Sequence, residues 1–309
     1  MSESILSAPY FHDEQAAYEF VEAHLWPRGP VCPHCGGVER VSKMQGKSTR
    51  IGAYKCYNCR KPFTVKIGTI FEASHIPLRF WLQSIFMMSS SKKGISANQL
   101  HRILGITIKS AWFMCHRIRE AMAPSASGME PLGGLGKIVE ADETFVGSKP
   151  GFKRRRGATH KMKVLSLVER GGNVRSVRIP NLSRHGIEQI IRENVSLDSR
   201  LMTDTAAYYR KPMLGFAGHE TVNHLADGYV RGEVYTNTLE GYFSLFKRGM
   251  RGVYQHCREK HLHRYLAEFD FRYNNRVSLG VNDDARAVHA LQGIVGKRLT
   301  YRTINRAMD

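Results

Sequence analysis

Apolar residues at helical spacing predict a series of short helices in the first part of the chain. Residues 12–26 and 77–91 both show apolar positions that recur every three or four residues, which is typical of one buried helix face. A further helix begins at Ser96, which has the spacing of a capping box with Gln99, and it ends at Gly105. The next apolar stripe predicts a fourth helix and consists of Ile108, Ala111, Trp112, Cys115, Ile118 and Met122.

Residues 71–123 therefore have the outline of a helix-turn-helix unit, in which two helices joined by a short glycine turn pack on a preceding helix. The polar side of the last helix carries Lys109 and Arg117, together with Ser110 and His116. We interpret Lys109 and Arg117 as DNA-binding residues. The alternative is an ordinary three-helix packing unit, because the motif contains no chemistry that requires DNA.

The pattern changes after a segment of small, glycine- and proline-rich residues, which we interpret as a linker over 124–136. Beyond it, short apolar runs predict an α/β domain over 137–280, with a mixed sheet flanked by helices, and 281–309 as a C-terminal tail. The predicted strands are 137–145, 163–168, 174–179, 200–203 and 219–223, and the predicted helices are 184–194, 237–251 and 260–275.

Length and composition favour a globular protein of about two domains. The chain has 309 residues, 42% of them apolar, which is enough to form hydrophobic cores and excludes wholesale disorder. No apolar run approaches the roughly 18 residues that a membrane helix needs, and the first residues lack the pattern of a signal peptide. We therefore expect a soluble cytoplasmic protein without a membrane partner.

The formal net charge of +19 narrows the choice of partner. Such an excess of Lys and Arg favours a polyanion, of which nucleic acid is the first candidate; an acidic membrane surface and the ribosome are the alternatives. Basic residues outnumber acidic residues both in 51–130 and in 131–309. This spread indicates a long contact surface rather than a basic tail, so we expect association with the nucleoid.

Four of the six cysteines form two C-x2-C pairs, and this pattern predicts a metal site. Cys32 and Cys35 make the first pair, and Cys56 and Cys59 make the second. Two such pairs are typical of a tetrahedral structural zinc site in a small ribbon, which we place in residues 1–70 with the first helix. Two disulfides or a redox motif are the alternatives. Nothing in the sequence indicates an oxidising compartment, and one redox pair does not account for the second.

Three acidic residues stand at positions where a mixed sheet meets solvent. Asp142 follows the apolar part of the first predicted strand, Asp204 ends a later strand, and Glu240 lies in the first turn of a helix. Acidic residues in such places tend to line the ligand crevice. Lys247 lies two helical turns after Glu240, on the same helix face. Carboxylate oxygens are the ligands that Mg²⁺ prefers, and pairs of divalent ions serve phosphodiester cleavage.

Each carboxylate also has a plain structural explanation. Glu240 stands where an acidic side chain favours a helix N-terminus, and Asp204 stands where a turn or cap residue is common. Asp142 competes with Glu140 and Glu143 for the same role, because all three belong to one strand.

Several segments resemble transposases of the DDE type from bacterial insertion sequences. These segments are residues 142–147 (DETFVG), Thr203-Asp204 and residues 237–249 (NTLEGYFSLFKRG), and the later run over 261–276 (HLHRYLAEFDFRYNNR) strengthens the match. The chain is similar to the branch in which an N-terminal zinc ribbon precedes the catalytic domain. The resemblance covers about residues 15–280.

The resemblance implies a ribonuclease-H-like catalytic domain in which Asp142, Asp204 and Glu240 bind catalytic Mg²⁺, with Mn²⁺ as an alternative ion. It also implies a DNA transposase that binds the terminal inverted repeats of its element, cleaves the strand and transfers it to target DNA. The expected partner is double-stranded DNA, both element ends and target, and the expected assembly is a homo-oligomer. We interpret Lys247 as a contact to DNA phosphate.

A run of four basic residues follows the first strand of the predicted catalytic domain. It consists of Lys153, Arg154, Arg155 and Arg156. We interpret the run as a contact to the phosphate backbone, and a solvated loop is the alternative.

For the whole chain, two other functions stay open. One is a DNA-binding regulator without catalytic activity, and the other is a nuclease that hydrolyses DNA but does not join it to a target.

Overall fold

The computed structural model describes residues 4–124, 129–149, 159–209, 215–222 and 235–300. The chain divides into two compact units, one formed by Met1–Ala123 with Val281–Asp309 and the other by Pro124–Gly280. Among the described residues, no helix is both long enough and apolar enough to cross a membrane.

The first unit begins with helix α1 (Glu14–Leu25), followed by a small antiparallel sheet. Its strands, in spatial order, are β1 (Val41–Lys43), β2 (Tyr54–Cys56) and β3 (Pro62–Phe63). The core of this ribbon consists of Cys32, Tyr54, Cys56 and Phe63. So small a core is typical of a domain that depends on a bound metal for its stability.

Three helices follow the ribbon at the predicted positions, and they confirm the helical pattern of this region. They are α2 (Leu78–Ser90), α3 (Ala97–Leu104) and α4 (Ile108–Met122). Ser96 caps α3 by accepting a hydrogen bond from the Gln99 N–H at 3.1 Å. Gly105 ends α3 with φ of 65°, a left-handed conformation that glycine adopts without strain.

The buried face of helix α4 differs from the face that the apolar pattern predicts. Ile108 and Trp112 are 47% and 38% exposed, so their assignment to the buried stripe is wrong. The core side of α4 instead includes polar residues, among them Arg117, whose side chain forms hydrogen bonds inside the unit. The buried residues are Ala111, Met114, Cys115, His116, Arg117, Ile118, Arg119, Ala121 and Met122.

The segment predicted as a C-terminal tail contains a helix that belongs to the first unit. Helix α8 (Asp283–Gln292) packs against α2, and its Ala290 and Leu291 are buried. Arg286 of α8 donates a hydrogen bond to the backbone oxygen of Ser89 at 3.2 Å. A short helix whose apolar residues are mostly alanines leaves a weak sequence signal, and only its tertiary partner makes its role visible.

The second unit is built on a five-stranded mixed sheet, as predicted. Its strands are β4 (Ile138–Val146), β5 (Met162–Glu169), β6 (Val174–Ile179), β7 (Arg200–Asp204) and β8 (Gly218–Val222). The spatial order is β6-β5-β4-β7-β8. The pairs β6-β5 and β5-β4 are antiparallel, whereas β4-β7 and β7-β8 are parallel. This arrangement is the α/β, ribonuclease-H-like fold that the sequence analysis expected.

Helices cover both faces of this sheet and create two cores. On one face, helix α5 (Arg184–Asn194) packs over Val139, Ala141 and Leu165. On the other face, α6 (Asn237–Gly249) and α7 (Leu262–Asn274) pack over Val146, Val164 and Val168. Because side chains alternate along a strand, the even-numbered residues of β4, including Asp142, lie on the α6 side.

The end of α7 holds the outer strand β6 in place. The N–H of Val174 donates to the Asn274 side-chain oxygen at 2.7 Å, and the Asn274 amide donates back to the Val174 oxygen at 2.9 Å. Arg276 donates to the Gly172 oxygen at 2.9 Å. The Asn-Asn-Arg run that contributed to the resemblance therefore includes residues that pair with the exposed edge of the sheet.

Candidate functional site

Asp142 and Asp204 lie on two neighbouring strands of the sheet. In the parallel pair of β4 and β7, Ile138 is opposite Arg200 and Glu140 is opposite Met202, which is the last pair. Asp142 and Asp204 each lie two residues beyond that pair on their own strand. Because side chains alternate along a strand, each of the two acidic residues lies on the same side of its strand as the residue of the last pair.

Helix α6 carries the third predicted carboxylate. Glu240 lies in the first turn of α6 and is exposed. Burial, together with the negative charges of Glu143, Asp204 and Glu240, raises the pKa of Asp142 to about 7. Asp204 and Glu240 are therefore near enough to Asp142 to act on it electrostatically. A bound cation would relieve the repulsion among them.

The three carboxylates are more widely spaced than the cysteines of the ribbon. Within the described ranges, the four cysteines are the one group of three or more possible metal ligands whose ligand atoms all lie within 4.8 Å of each other. A wider carboxylate set suits Mg²⁺, because this ion usually keeps several of its waters and takes only one or two carboxylates from a protein.

Glu140 is one of the two residues that compete with Asp142 for the role of metal ligand, but its carboxylate is occupied by other partners. Its side chain is completely buried. Its carboxylate accepts hydrogen bonds from the Arg170 Nε at 2.7 Å, the Thr238 hydroxyl at 2.9 Å and the Leu239 N–H at 3.1 Å. The last two donors belong to the first turn of α6, so Glu140 fastens the start of that helix to β4.

Arg170 completes this attachment, which we call the α6 clamp and define as Glu140, Arg170, Tyr235 and Thr238. The guanidinium donates to the Tyr235 oxygen at 2.6 Å, and its centre lies 3.6 Å from the centroid of the Tyr235 ring. The clamp was not predicted from the sequence. Glu140 and Asp142 are two residues apart and therefore lie on the same side of the strand. The clamp positions the helix turn that carries Glu240.

We expect Glu140→Gln to loosen the start of α6. The amide keeps the size of the side chain but removes the charge that pairs with Arg170, and breaking a buried pair of this kind costs about 3–5 kcal/mol. Hydrogen exchange of residues 237–243 should therefore accelerate by at least about tenfold, as measured by mass spectrometry. Glu188→Gln, which removes an exposed ion pair of α5, is the matched control and should leave this exchange unchanged. Unaltered exchange in Glu140→Gln would contradict the clamp.

Glu143, the second competitor, supports the segment that follows Asp204. Because β4 side chains alternate, it points to the face opposite Asp142, where it accepts hydrogen bonds from the hydroxyls of Tyr208, at 2.8 Å, and Tyr209. Burial raises its pKa to about 7, although the two tyrosine hydrogen bonds act in the other direction. Asp204 itself accepts a hydrogen bond from the backbone of the same segment, at Ala206.

The predicted DNA-binding residues occupy different environments. Lys109 is exposed at the start of α4, where it is accessible to a ligand. Lys247 is half-buried on α6, with its ammonium 5.8 Å from the centroid of the Phe243 ring, and it lines a cavity. The basic run over 153–156 lies outside the described residues.

Arg117 is not placed to contact DNA, so its assignment as a DNA-binding residue is wrong. The residue is only 5% exposed. Its guanidinium donates to the backbone oxygens of Ile70 and Glu72, both at 2.8 Å, and of Leu299 at 3.1 Å. Arg117 therefore satisfies backbone groups inside the first unit. Helical spacing alone did not reveal this, because the acceptors come from distant parts of the chain.

The four predicted zinc ligands converge in the ribbon. The sulfurs of Cys32 and Cys59 are 3.6 Å apart, as are those of Cys35 and Cys56, and all four atoms lie within 4.8 Å of one another. A tetrahedral zinc site with Zn–S bonds of about 2.3 Å places its sulfurs about 3.8 Å apart. The cysteines are free thiols rather than disulfides. The ribbon thus offers a closed set of four sulfur ligands that fits zinc.

The chain thus combines a four-cysteine ribbon with an α/β unit of ribonuclease-H-like fold, which is the organisation expected of transposases with an N-terminal zinc ribbon. Comparisons with known families agree with this class. Residues 131–274 match the ISXO2-like transposase domain, and residues 12–62 match the transposase zinc-ribbon domain. The two matches together cover more than half of the chain. They confirm the predicted resemblance to insertion-sequence transposases with an N-terminal zinc ribbon.

A relative from a mobile element supports the same conclusion. The chain is 27% identical over 285 residues to an uncharacterised protein in transposable element ISH50 of Halobacterium salinarum. The match covers 85% of this chain and 91% of the relative.

Proposed function

We propose that this transposase cleaves the ends of its own insertion sequence and joins them to target DNA through Asp142, Asp204 and Glu240. The observation that supports the proposal is that Asp142 and Asp204 each lie two residues beyond the last pair of the parallel strands β4 and β7, and that the charges of Asp204 and Glu240 both raise the pKa of Asp142. Glu240 adds the third carboxylate because the α6 clamp fixes the helix turn in which it stands.

The three carboxylates would hold Mg²⁺. When bound, this ion activates the attacking oxygen and stabilises the leaving oxygen of a phosphodiester. The chain's own contribution is to gather three oxygen ligands at one edge of the sheet and to keep their geometry. Lys247, two turns further along α6, supplies a cation for a neighbouring phosphate.

Two successive reactions use this site. First, water attacks a phosphodiester at the element end, and the reaction leaves a free 3′ hydroxyl. That hydroxyl then attacks a phosphodiester of the target, which forms a new bond between element and target and releases a second 3′ hydroxyl. Neither reaction needs a covalent bond to the protein. The aromatic residues Tyr242, Tyr254 and Tyr265 pack within or against the core under α6 and α7.

DNA recognition belongs to other parts of the chain in this proposal. The ribbon and α2 to α4 bind the terminal inverted repeats, with Lys109 as one contact, and the basic run over 153–156 binds phosphates. The protein acts as a homo-oligomer when two element ends are brought together. The excess of positive charge supports this assignment, because DNA phosphates must approach a site that contains three carboxylates.

The products of the reaction distinguish this function from its alternatives. The purified full-length protein is incubated with Mg²⁺, a labelled duplex that carries the element end, and a supercoiled plasmid. We expect nicking at the element end and joining of the labelled 3′ end to the plasmid. Nicking without joining would identify a nuclease. Binding without either reaction would identify a regulator.

A further inference from the structure

A large basic groove lies beyond the carboxylates in the second unit. The cavity has a volume of about 920 Å³. One wall is the end of β4 with the residues that follow it, and the other is the end of α6 with the turn after it. The cations that line this groove are Lys161, Lys247, Arg251 and Arg258, together with His160 and His256, and none of its described lining residues is acidic.

Most of these cations are not used to hold the fold together. Within the part of the chain that the structure describes, Lys161, Arg251 and Arg258 form no ion pair, and Arg251 and Arg258 are exposed. His160 is only 7% exposed, and its Nδ1 has no hydrogen-bond partner among the described residues. Buried polar atoms are usually paired, so an unpaired one in the wall of a cavity points to a ligand.

The backbone at the end of α6 has an unusual conformation that shapes the groove. The helix continues into a π-helical turn over Met250–Tyr254, after which Gln255 has a φ of 52° and a ψ of −54°. A residue with a side chain rarely adopts a positive φ. Such turns and strained residues occur often at functional sites. Here they direct Gln255 and the following residues, up to Arg258, into the groove wall.

The groove begins a short distance from the carboxylates along two independent elements. Along β4, Phe145 at the groove is three residues from Asp142, which corresponds to about 10 Å. Along α6, Lys247 at the groove is seven residues from Glu240, which also corresponds to about 10 Å. A DNA strand with its reacting phosphate at the carboxylates would reach the groove within a few nucleotides.

The dimensions of the groove suit one strand rather than a duplex. A volume of 920 Å³ is in the range of sites that enclose small ligands, about 300–1,000 Å³. The cube root of this volume is about 10 Å, so the cavity is too small to enclose a B-DNA duplex, whose major groove alone is roughly 12 Å wide. A positively charged groove that follows one backbone is typical of single-strand binding.

We propose that this basic groove binds a short single-stranded DNA segment adjacent to the reacting phosphate. The inference rests on the proposed function, because it takes the carboxylates as the place where the phosphate lies. It goes beyond that function by requiring that the DNA end is unpaired for a few nucleotides when it occupies the site. The ligand is recognised by its phosphates, without a requirement for a particular base sequence.

Binding of tailed DNA to paired variants of the full-length protein tests this proposal. The probes are a labelled duplex with a tail of about six thymidines and the same duplex with a blunt end, both in magnesium-free buffer to prevent cleavage. We expect the wild-type protein to prefer the tailed probe and Arg251→Ala/Arg258→Ala to lose that preference, with about tenfold weaker binding of the tail. The log–log salt slope for the tail should fall by about 1.4, since two phosphate contacts are removed.

The matched control is Arg248→Ala/Lys260→Ala, which removes the same charge from two exposed residues close in sequence but outside the groove. It should keep the preference for the tail. The proposed role of the groove is wrong if both double variants lose the same affinity for the tailed probe, if neither loses any, or if the blunt probe loses as much as the tailed one. If the protein joins DNA but does not prefer the tailed probe, only the proposed role of the groove is wrong. If the protein does not cut DNA but binds the tail through Arg251 and Arg258, only the proposed chemistry is wrong.

Discussion

Asp142→Asn and Asp204→Asn are each expected to reduce Mg²⁺-dependent cleavage of the element end by at least about 1,000-fold, while DNA binding stays within about twofold of wild type. Asparagine has nearly the same size as aspartate but lacks the charge that holds a divalent cation. The affinity for DNA should survive, because it depends mainly on basic residues elsewhere. Single-turnover cleavage and a binding titration on the same preparations measure the two quantities.

The metal dependence gives this prediction a second readout. If the carboxylates hold the ion, the residual activity of a substituted protein should need more Mg²⁺ than the wild type, or should recover partly with Mn²⁺. Asp198→Asn is a suitable control, since Asp198 is an exposed acidic residue of the same unit that lies just before the start of strand β7, at the end opposite Asp204. Cleavage at the wild-type rate by both Asp142→Asn and Asp204→Asn would show that the catalytic assignment is wrong.

Cys35→Ser is expected to remove the ribbon's metal and unfold the ribbon. The substitution takes one of four sulfur ligands from a domain whose own core is very small. Apparent binding energies of structural zinc are about 10–16 kcal/mol, so the loss of one ligand removes most of the stabilisation of this domain. Wild-type protein should contain one zinc per chain by elemental analysis, and Cys35→Ser should contain almost none.

Unfolding of the ribbon can be measured independently of the metal content. In Cys35→Ser, limited proteolysis should cut within residues 30–60, whereas the second unit should retain its protection. Cys115→Ala is the control, because Cys115 is a buried cysteine of the same unit outside the cluster. That variant should keep its zinc. A full zinc content in Cys35→Ser, or zinc loss in Cys115→Ala, would contradict the four-cysteine site.

The zinc cluster and the secondary structure were largely predictable from the sequence because both depend on residues close together in the chain. Two C-x2-C pairs identify a metal site by spacing alone. Helix α3 is bounded by a cap at Ser96 and a left-handed glycine at Gly105, and both are local signals. Strand β7 ends at Asp204, as its apolar run indicated.

Residues whose partners are distant in sequence were not predictable in this way. Arg117 has the spacing of an exposed polar residue, but its guanidinium binds backbone oxygens as far away as Leu299. Glu140 and Asp142 are equally plausible ligands in the sequence. The structure separates them, because Glu140 is occupied by the α6 clamp. Helix α8 was missed for the same reason, since its burial depends on α2.

The sequence by itself determined that this chain has a four-cysteine ribbon, a helical unit and a mixed α/β domain, and that it resembles insertion-sequence transposases. These features follow from periodicity, caps and motif spacing, which are properties of neighbouring residues. Only the tertiary structure decided that Glu140 is occupied by the α6 clamp, that Arg117 is internal, and that a basic groove lies between the ends of β4 and α6. Register between strands and packing between helices bring together residues that are far apart in the chain, and no local pattern records such contacts.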